Sequence, residues 1–228
     1  MLGWAAVEGL DWGCVWHAYG PATDTPSHLR ALTGDDPRAQ ALALDHLDGA
    51  VVHQYSSWPA TPPSLRVVGG VLADPALRRL CGGDPVLTHV LRVIDDAACG
   101  LPVQAREETL EPPSRWSDTG ITPEAVRAYF EDLESGRGAL SETSAVHMMW
   151  TWVWADLCDV LWELIPAVLP LLDDEDPTVR LASLQTVTAL GGTPRAAGGA
   201  SELAARFESR LRSAEGRNER ASLVIGLG

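Results

Sequence analysis

The chain has 228 residues, 46 % apolar and 21 % charged, enough apolar side chain for a buried core and too much for a disordered segment. Seventeen basic residues, all arginine, face thirty-one acidic ones for a net charge of −14. That field repels duplex nucleic acid and anionic membrane and favours a basic partner.

In chain order, the opening Met1-Leu2-Gly3-Trp4, with Glu8 and Asp11 close behind, lacks the basic start and long apolar run of an export signal, so a cytoplasmic location is expected. Four cysteines, Cys14, Cys81, Cys99 and Cys158, form no Cys-x-x-Cys pair and read as buried free thiols. Cys14-x-x-His17 offers half of a tetrahedral zinc site and no second half is visible, so neither a metal nor a cofactor is expected. His17 reads instead as a residue that bonds a neighbouring loop or caps a carbonyl.

Eight of the sixteen prolines follow Thr or Asp: Thr25-Pro26, Asp36-Pro37, Thr61-Pro62, Asp74-Pro75, Asp84-Pro85, Thr122-Pro123, Asp176-Pro177 and Thr193-Pro194. Such a pair suits a helix start, where the side-chain oxygen accepts from an orphan amide and proline fills the first helical position. Helices are expected over 27–32, 37–53, 63–72, 85–98, 123–133 and 201–211. The stripe from Ala39 through Leu42, Leu44, Leu47 and Ala50 to Val51 has a helical period, and offsets from Pro37 return after Pro177 in Val179, Ala182, Leu184, Val187 and Leu190. No alternating strand is evident. The paired glycines 69–70, 82–83 and 191–192 lack the lysine of a phosphate loop and read as helix ends or breaks.

Between the helices, 101–121 reads as a long irregular connection, with Trp116 placed to pin it or to reach a partner. Further on, 145–172 is the most apolar stretch, but it carries Asp156, Asp159 and Glu163 and is interrupted by Pro166 and Pro170, so it does not suit a membrane span. Helical spacing puts Trp150, Trp154 and Cys158 on one side and Trp152, Asp156 and Asp159 on another, which points to core packing on one face and an aromatic, acidic anchor on the other. The turn Asp173-Asp174-Glu175-Asp176 and the pairs Asp35-Asp36 and Asp95-Asp96 suit helix caps or an acidic docking ridge. The last helix starts near Asn218 and has no second helix to cover it, which leaves room for a partner, a homodimer or further chain.

Short helices that each bury one face are most simply covered by stacking in sequence, which predicts an all-α solenoid of about 10–12 helices over residues 1–228 as a single domain. The segment Asp176-Pro177-Thr178-Val179-Arg180-Leu181-Ala182-Ser183-Leu184 resembles the helix opening of HEAT repeats. Likewise His17-Ala18-Tyr19-Gly20-Pro21-Ala22-Thr23-Asp24-Thr25-Pro26 and the later His53-Gln54 are similar to segments of an actinomycete HEAT-repeat group. That group usually continues its His-Gln pair with Gly-Thr-Val-Tyr, where this chain has Tyr55-Ser56-Ser57-Trp58. The resemblance implies a stacked-helix fold and a binding role, with His17, Tyr19, His53 and Gln54 as its marked residues, and no reaction.

The Trp152-x-x-x-Asp156 spacing also resembles HEAT-like DNA glycosylases, but the stretch 141–176 contains no arginine for a DNA groove. The expected function is therefore a non-enzymatic scaffold that offers Trp116, Trp150, Trp152, Asp156, Asp159, Asp174 and Glu175 to a basic protein. An immunity-type neutraliser of a basic toxin is one variant. The alternative is a small-molecule enzyme or a biosynthetic accessory protein using a Trp-rich cavity around Trp152 and Asp156. No nucleic acid or membrane is expected as a partner.

Overall fold

The computed structural model describes residues 1–102, 105, 122, 124–126, 128–129, 144–193, 200–214 and 216–227. Trp116, nearly all of the connection 101–121, and Phe130 and Leu133 of the stripe expected at 123–133 lie outside the described residues.

The protein is mostly helical. Helices α1 (Thr25–Ala31), α2 (Pro37–His46), α3 (Thr61–Val71) and α4 (Val86–Cys99) precede α5 (Ser144–Val168), α6 (Pro177–Gly191), α7 (Ala200–Ser213) and α8 (Arg217–Leu227). Several of the Asp-Pro and Thr-Pro pairs act as expected. Asp36, Asp74 and Asp176 accept from the amides of Arg38, Ala76 and Thr178 at 2.8–2.9 Å, each just ahead of a proline in the first turn. Asp84-Pro85 does not, because it forms a strand end before α4, and Thr193 bonds back to the Leu190 carbonyl at the end of α6.

The apolar stripe of α6 is wholly buried, as its spacing requires: Val179, Ala182, Leu184, Val187 and Leu190 pack into one core with Leu87, Leu91 and Ile94 of α4 and Leu157, Leu161 and Leu164 of α5. Helix α4 lies against α6, α3 against α5, and α1 against α2. A buried Thr186 hydroxyl reaches across from α6 to the Leu91 carbonyl at 2.9 Å. In α2 the stripe is displaced. Leu42 stays 59 % exposed, and Gln40 is buried in its stead because its amide donates to the Leu32 carbonyl at 2.6 Å. Gly69 and Gly70 do not end a helix. They lie within α3, where a Cβ on Gly69 would collide with Leu164 of α5 and one on Gly70 with the backbone of Gly3, so the missing side chains let α5 and the N-terminal segment approach closely.

Helix α5 continues through Pro166 to Val168 before a 3-10 turn over Leu169–Asp173, where the sequence suggested a break. Even so, among the described residues no helix is long and apolar enough to cross a membrane. In α8 Leu223 is buried against α6 and α7, while Val224 and Ile225 stay exposed.

The absence of strands was expected and is corrected. Among the described residues three two-residue antiparallel ladders occur, Trp16–His17 with Gly20–Pro21 (β1–β2), Val52–His53 with Ser56–Ser57 (β3–β4) and Leu80–Cys81 with Asp84–Pro85 (β5–β6). Each is a hairpin closed by two residues, and each is followed within a few residues by α1, α3 or α4 respectively. Two residues per strand are too few to show an alternating pattern.

Candidate functional site

Hairpins β1–β2 and β3–β4 are stitched to each other's surroundings. The Ala18 amide donates to the Ala50 carbonyl at 3.0 Å, and the Ala60 amide, just before α3, donates to the Trp16 carbonyl at 2.9 Å. This brings the segments around His17 and His53 into one edge. His17 is 5 % exposed. The Tyr19 N–H donates to its Nδ1 at 3.1 Å, so the ring proton of neutral His17 sits on Nε2 and is donated to Asp24 Oδ1, also at 3.1 Å. On the other side of Asp24 stands His46, with Nδ1 3.9 Å from Oδ2 and Nε2 2.9 Å from the Thr25 hydroxyl. His28 stacks on His46 with ring centroids 4.2 Å apart.

This network has marked electrostatics. Burial drives His46 down to about 4, helped by the charge of stacked His28, so its ring is neutral at neutral pH. For Asp24, burial is the largest single influence and acts upwards, but the His17 hydrogen bond and the fields of His46 and His17 together hold the carboxyl below its usual range. Thr25, His46 and Asp24 follow one another as a nucleophile, base and orienting acid would, yet the Thr25 side chain is fully buried and presents no oxygen to a substrate.

His17, Asp24 and His46 also place ligand atoms within 4.8 Å of one another, and are the residues that would hold a metal. Ligation through His17 Nε2 would move its proton to Nδ1, against the Tyr19 amide in a tight hairpin turn, so a hydrogen-bond network fits this geometry better than an ion. Cys14 plays no part: its thiol bonds Asp11 at 3.2 Å.

What the network supports is exposed. Tyr19 is 66 % and Tyr55 61 % exposed, one at each hairpin turn. His53 Nδ1 lies 2.8 Å from the Gly49 carbonyl and 3.4 Å from the Tyr19 hydroxyl, and the rings of Tyr19 and His53 meet edge to face at 5.5 Å. Gln54 and Tyr55 form the two-residue turn of β3–β4 with φ of +50° and +61°. Hairpin β5–β6 places Gly82 and Gly83 in the same two positions, at +63° and +100°. Glycine is the ordinary occupant there, and a side chain held in that region costs on the order of 1 kcal/mol or more. The turn is braced from below by Gly100, where any Cβ would overlap the Tyr55 carbonyl oxygen.

Beside this turn lies an aromatic cleft of about 400 Å³ lined by Ser56, Ser57, Gly100, Pro102, Trp150 and Trp154. Trp150 and Trp154 stack at 6.2 Å with 24° between planes, and Trp58 meets Trp150 edge-on at 6.1 Å. The Trp150 indole N–H donates to the Tyr129 hydroxyl at 3.3 Å.

The other residues singled out from sequence lie elsewhere. Trp152 and Asp156 line a different cavity, of about 620 Å³, with Arg66 and residues 6–10. Arg66 of α3 supplies the cation that the arginine-free stretch of α5 lacks, and grips Asp156 in a two-pronged pair at 2.5 and 2.8 Å. Burial penalises the Arg66 charge, but Asp156, with Glu163 and Asp159 behind it, outweighs that and holds the guanidinium firmly protonated. Asp174 is tied to Arg78 at 2.5 Å and accepts from the Asp176 amide, so it builds the turn before α6, on which Glu175 stands exposed.

Asp48, Asp95 and Asp96 are among the carboxylates for which no side-chain hydrogen bond or ion pair occurs among the described residues. Burial and, in turn, Asp96 push Asp95 up; burial and Asp48 do the same to Asp96. Asp96 is one helical turn from Gly100, whose amide donates to its carbonyl at 2.9 Å. Sequence reading missed His28, His46, Tyr55 and Trp154 as parts of this edge. Trp154 carried a signal in its helical spacing from Trp150, read there as core packing.

No protein-family model, curated protein or solved structure matches this chain.

Proposed function

We propose that this protein is a non-enzymatic scaffold of the HEAT-like solenoid type, and that the edge carrying Tyr19 and Tyr55 is the surface it offers to a basic protein partner. The turn Gln54-Tyr55 carries the reading. A tyrosine is kept exposed in a left-handed conformation that glycine fills at the equivalent turn of β5–β6, and backbone strain of this kind is retained where a side chain has work to do outside the fold. Tyrosine and tryptophan dominate binding energy at protein interfaces, and both are concentrated here. The recurrence of a hairpin before each of α1, α3 and α4 supports a repeated unit. The net charge of −14, and unpaired Asp48, Asp95 and Asp96 near the edge, support a basic partner.

The test compares affinity capture by the wild-type chain, by Tyr19→Ala/Tyr55→Ala, and by Leu80→Ala in hairpin β5–β6, using lysate of the source organism and quantitative mass spectrometry. A basic protein retained by wild type and by Leu80→Ala, but lost at least tenfold with the tyrosine variant, is the expected result. A partner retained equally by all three would remove the edge from consideration.

A further inference from the structure

Resting on that reading, we propose that the cleft lined by Trp150 and Trp154 is an arginine-receiving pocket, filled on binding by a guanidinium side chain of the basic partner.

The walls suit that occupant. Two tryptophan rings stacked one helical turn apart offer π faces, and a guanidinium is planar, weakly hydrated and stacks on indole more readily than the compact, strongly hydrated ammonium of lysine. The floor suits it as well. Ser57 is 8 % exposed and lines the cleft, and among the described residues its buried hydroxyl has no hydrogen-bond partner. A buried hydroxyl left unpaired costs about 1–3 kcal/mol, which an incoming N–H donor would relieve.

Charge selects a cation over a neutral aromatic ring. Gly100 lines the cleft, Asp96 stands one turn before it on α4 with Asp95 as its chain neighbour, and Asp48 is close enough to act on Asp96 electrostatically. Five of the chain's seventeen arginines are engaged with other acids: Arg66 with Asp156, Arg78 with Asp174, Arg79 with Asp35, Arg92 with Asp84 and Arg210 with Glu219. Those five are committed elsewhere, and Asp95 and Asp96 have no ion-pair partner among the described residues.

Three peptides serve as probes: nona-arginine, nona-lysine and nona-citrulline, titrated at 150 mM salt while tryptophan fluorescence is followed. Nona-arginine is expected to quench the fluorescence and to bind at least fivefold more tightly than nona-lysine, with nona-citrulline not binding. Trp154→Leu, which keeps the site apolar, should erase the preference for arginine and leave the weaker, salt-sensitive binding common to both cations. Asp95→Asn/Asp96→Asn should weaken both cationic peptides by a similar factor while leaving their ratio intact. Equal affinity for arginine and lysine peptides, or a preference that survives Trp154→Leu, overturns the proposal, as does binding of nona-citrulline equal to that of nona-arginine.

Failure here and failure of the interface reading are separable. If the tyrosine variant loses the captured partner while arginine shows no preference over lysine, the edge stands and the pocket falls. If the preference holds but capture ignores Tyr19 and Tyr55, the pocket stands without the edge.

Discussion

His46 should make this fold acid-sensitive well above the range where carboxylates titrate. Its side chain is only 8 % exposed, and its value falls from 6.5 in an open chain to about 4 in the folded one. At about 1.4 kcal/mol per pH unit, that difference caps its contribution at about 3 kcal/mol. The sign follows from which state takes the proton first. The folded value lies below the unfolded one, so the unfolded chain protonates first and stability is lost as pH falls from about 6.5 through 4, flattening below. Between pH 7 and 5 the loss comes to about 2 kcal/mol, or roughly 4–8 °C in Tm for a chain of this size.

Other groups act in this window or beside it. Asp24, held low, loses its contribution only at more acid pH, whereas Asp95 and Asp96, held high, stabilise the fold as pH falls through their folded-state values. The decisive quantity is therefore the difference between wild type and His46→Gln, measured by urea unfolding with tryptophan fluorescence at pH 7, 6, 5 and 4.5. The two stability curves should converge by about 2 kcal/mol on going from pH 7 to 5. Parallel curves would refute the assignment of a buried, neutral His46.

Tyr55→Gly should raise stability by about 1 kcal/mol, by relieving the left-handed turn, while weakening partner capture; thermal melts and the capture assay read the two effects on one variant. Gly100→Ala should do the reverse of stabilising, since its methyl would overlap the Tyr55 carbonyl oxygen; a loss of about 2 kcal/mol or more with altered Trp154 fluorescence is the expected outcome in urea titration. Arg66→Ala should cost about 3–5 kcal/mol by stranding Asp156, whereas Arg66→Met/Asp156→Leu should cost little, a contrast that chemical denaturation resolves. Zinc added to the metal-free protein should leave Tm unchanged, because the His17 proton occupies the position a metal would need; a rise that grows with zinc concentration would reverse that conclusion.

Much of the helical content was legible from local rules. Asp36, Asp74 and Asp176 cap the turns that their following prolines open, and the buried stripe of α6 falls where its period places it, because capping and amphipathicity depend on residues three or four positions apart. The same reasoning separated the Trp150–Trp154 face of α5 from the Trp152–Asp156 face. It could not say that Arg66, ninety residues away, would neutralise Asp156, or that Gln40 would displace Leu42 from the core. Those outcomes depend on which surfaces meet once the helices pack.

The edge itself was half visible. His17, Tyr19, His53 and Gln54 stood out as segments, but nothing in their spacing announced that Ala18 would bond to Ala50 and draw both hairpins together with His28 and His46. Composition fixed the surplus of negative charge, since it is a sum over residues. Which acids stay unpaired, Asp48, Asp95 and Asp96 among them, was decided only in three dimensions, because an ion pair needs its partner within about 4 Å and the chain's folding chooses who that neighbour is.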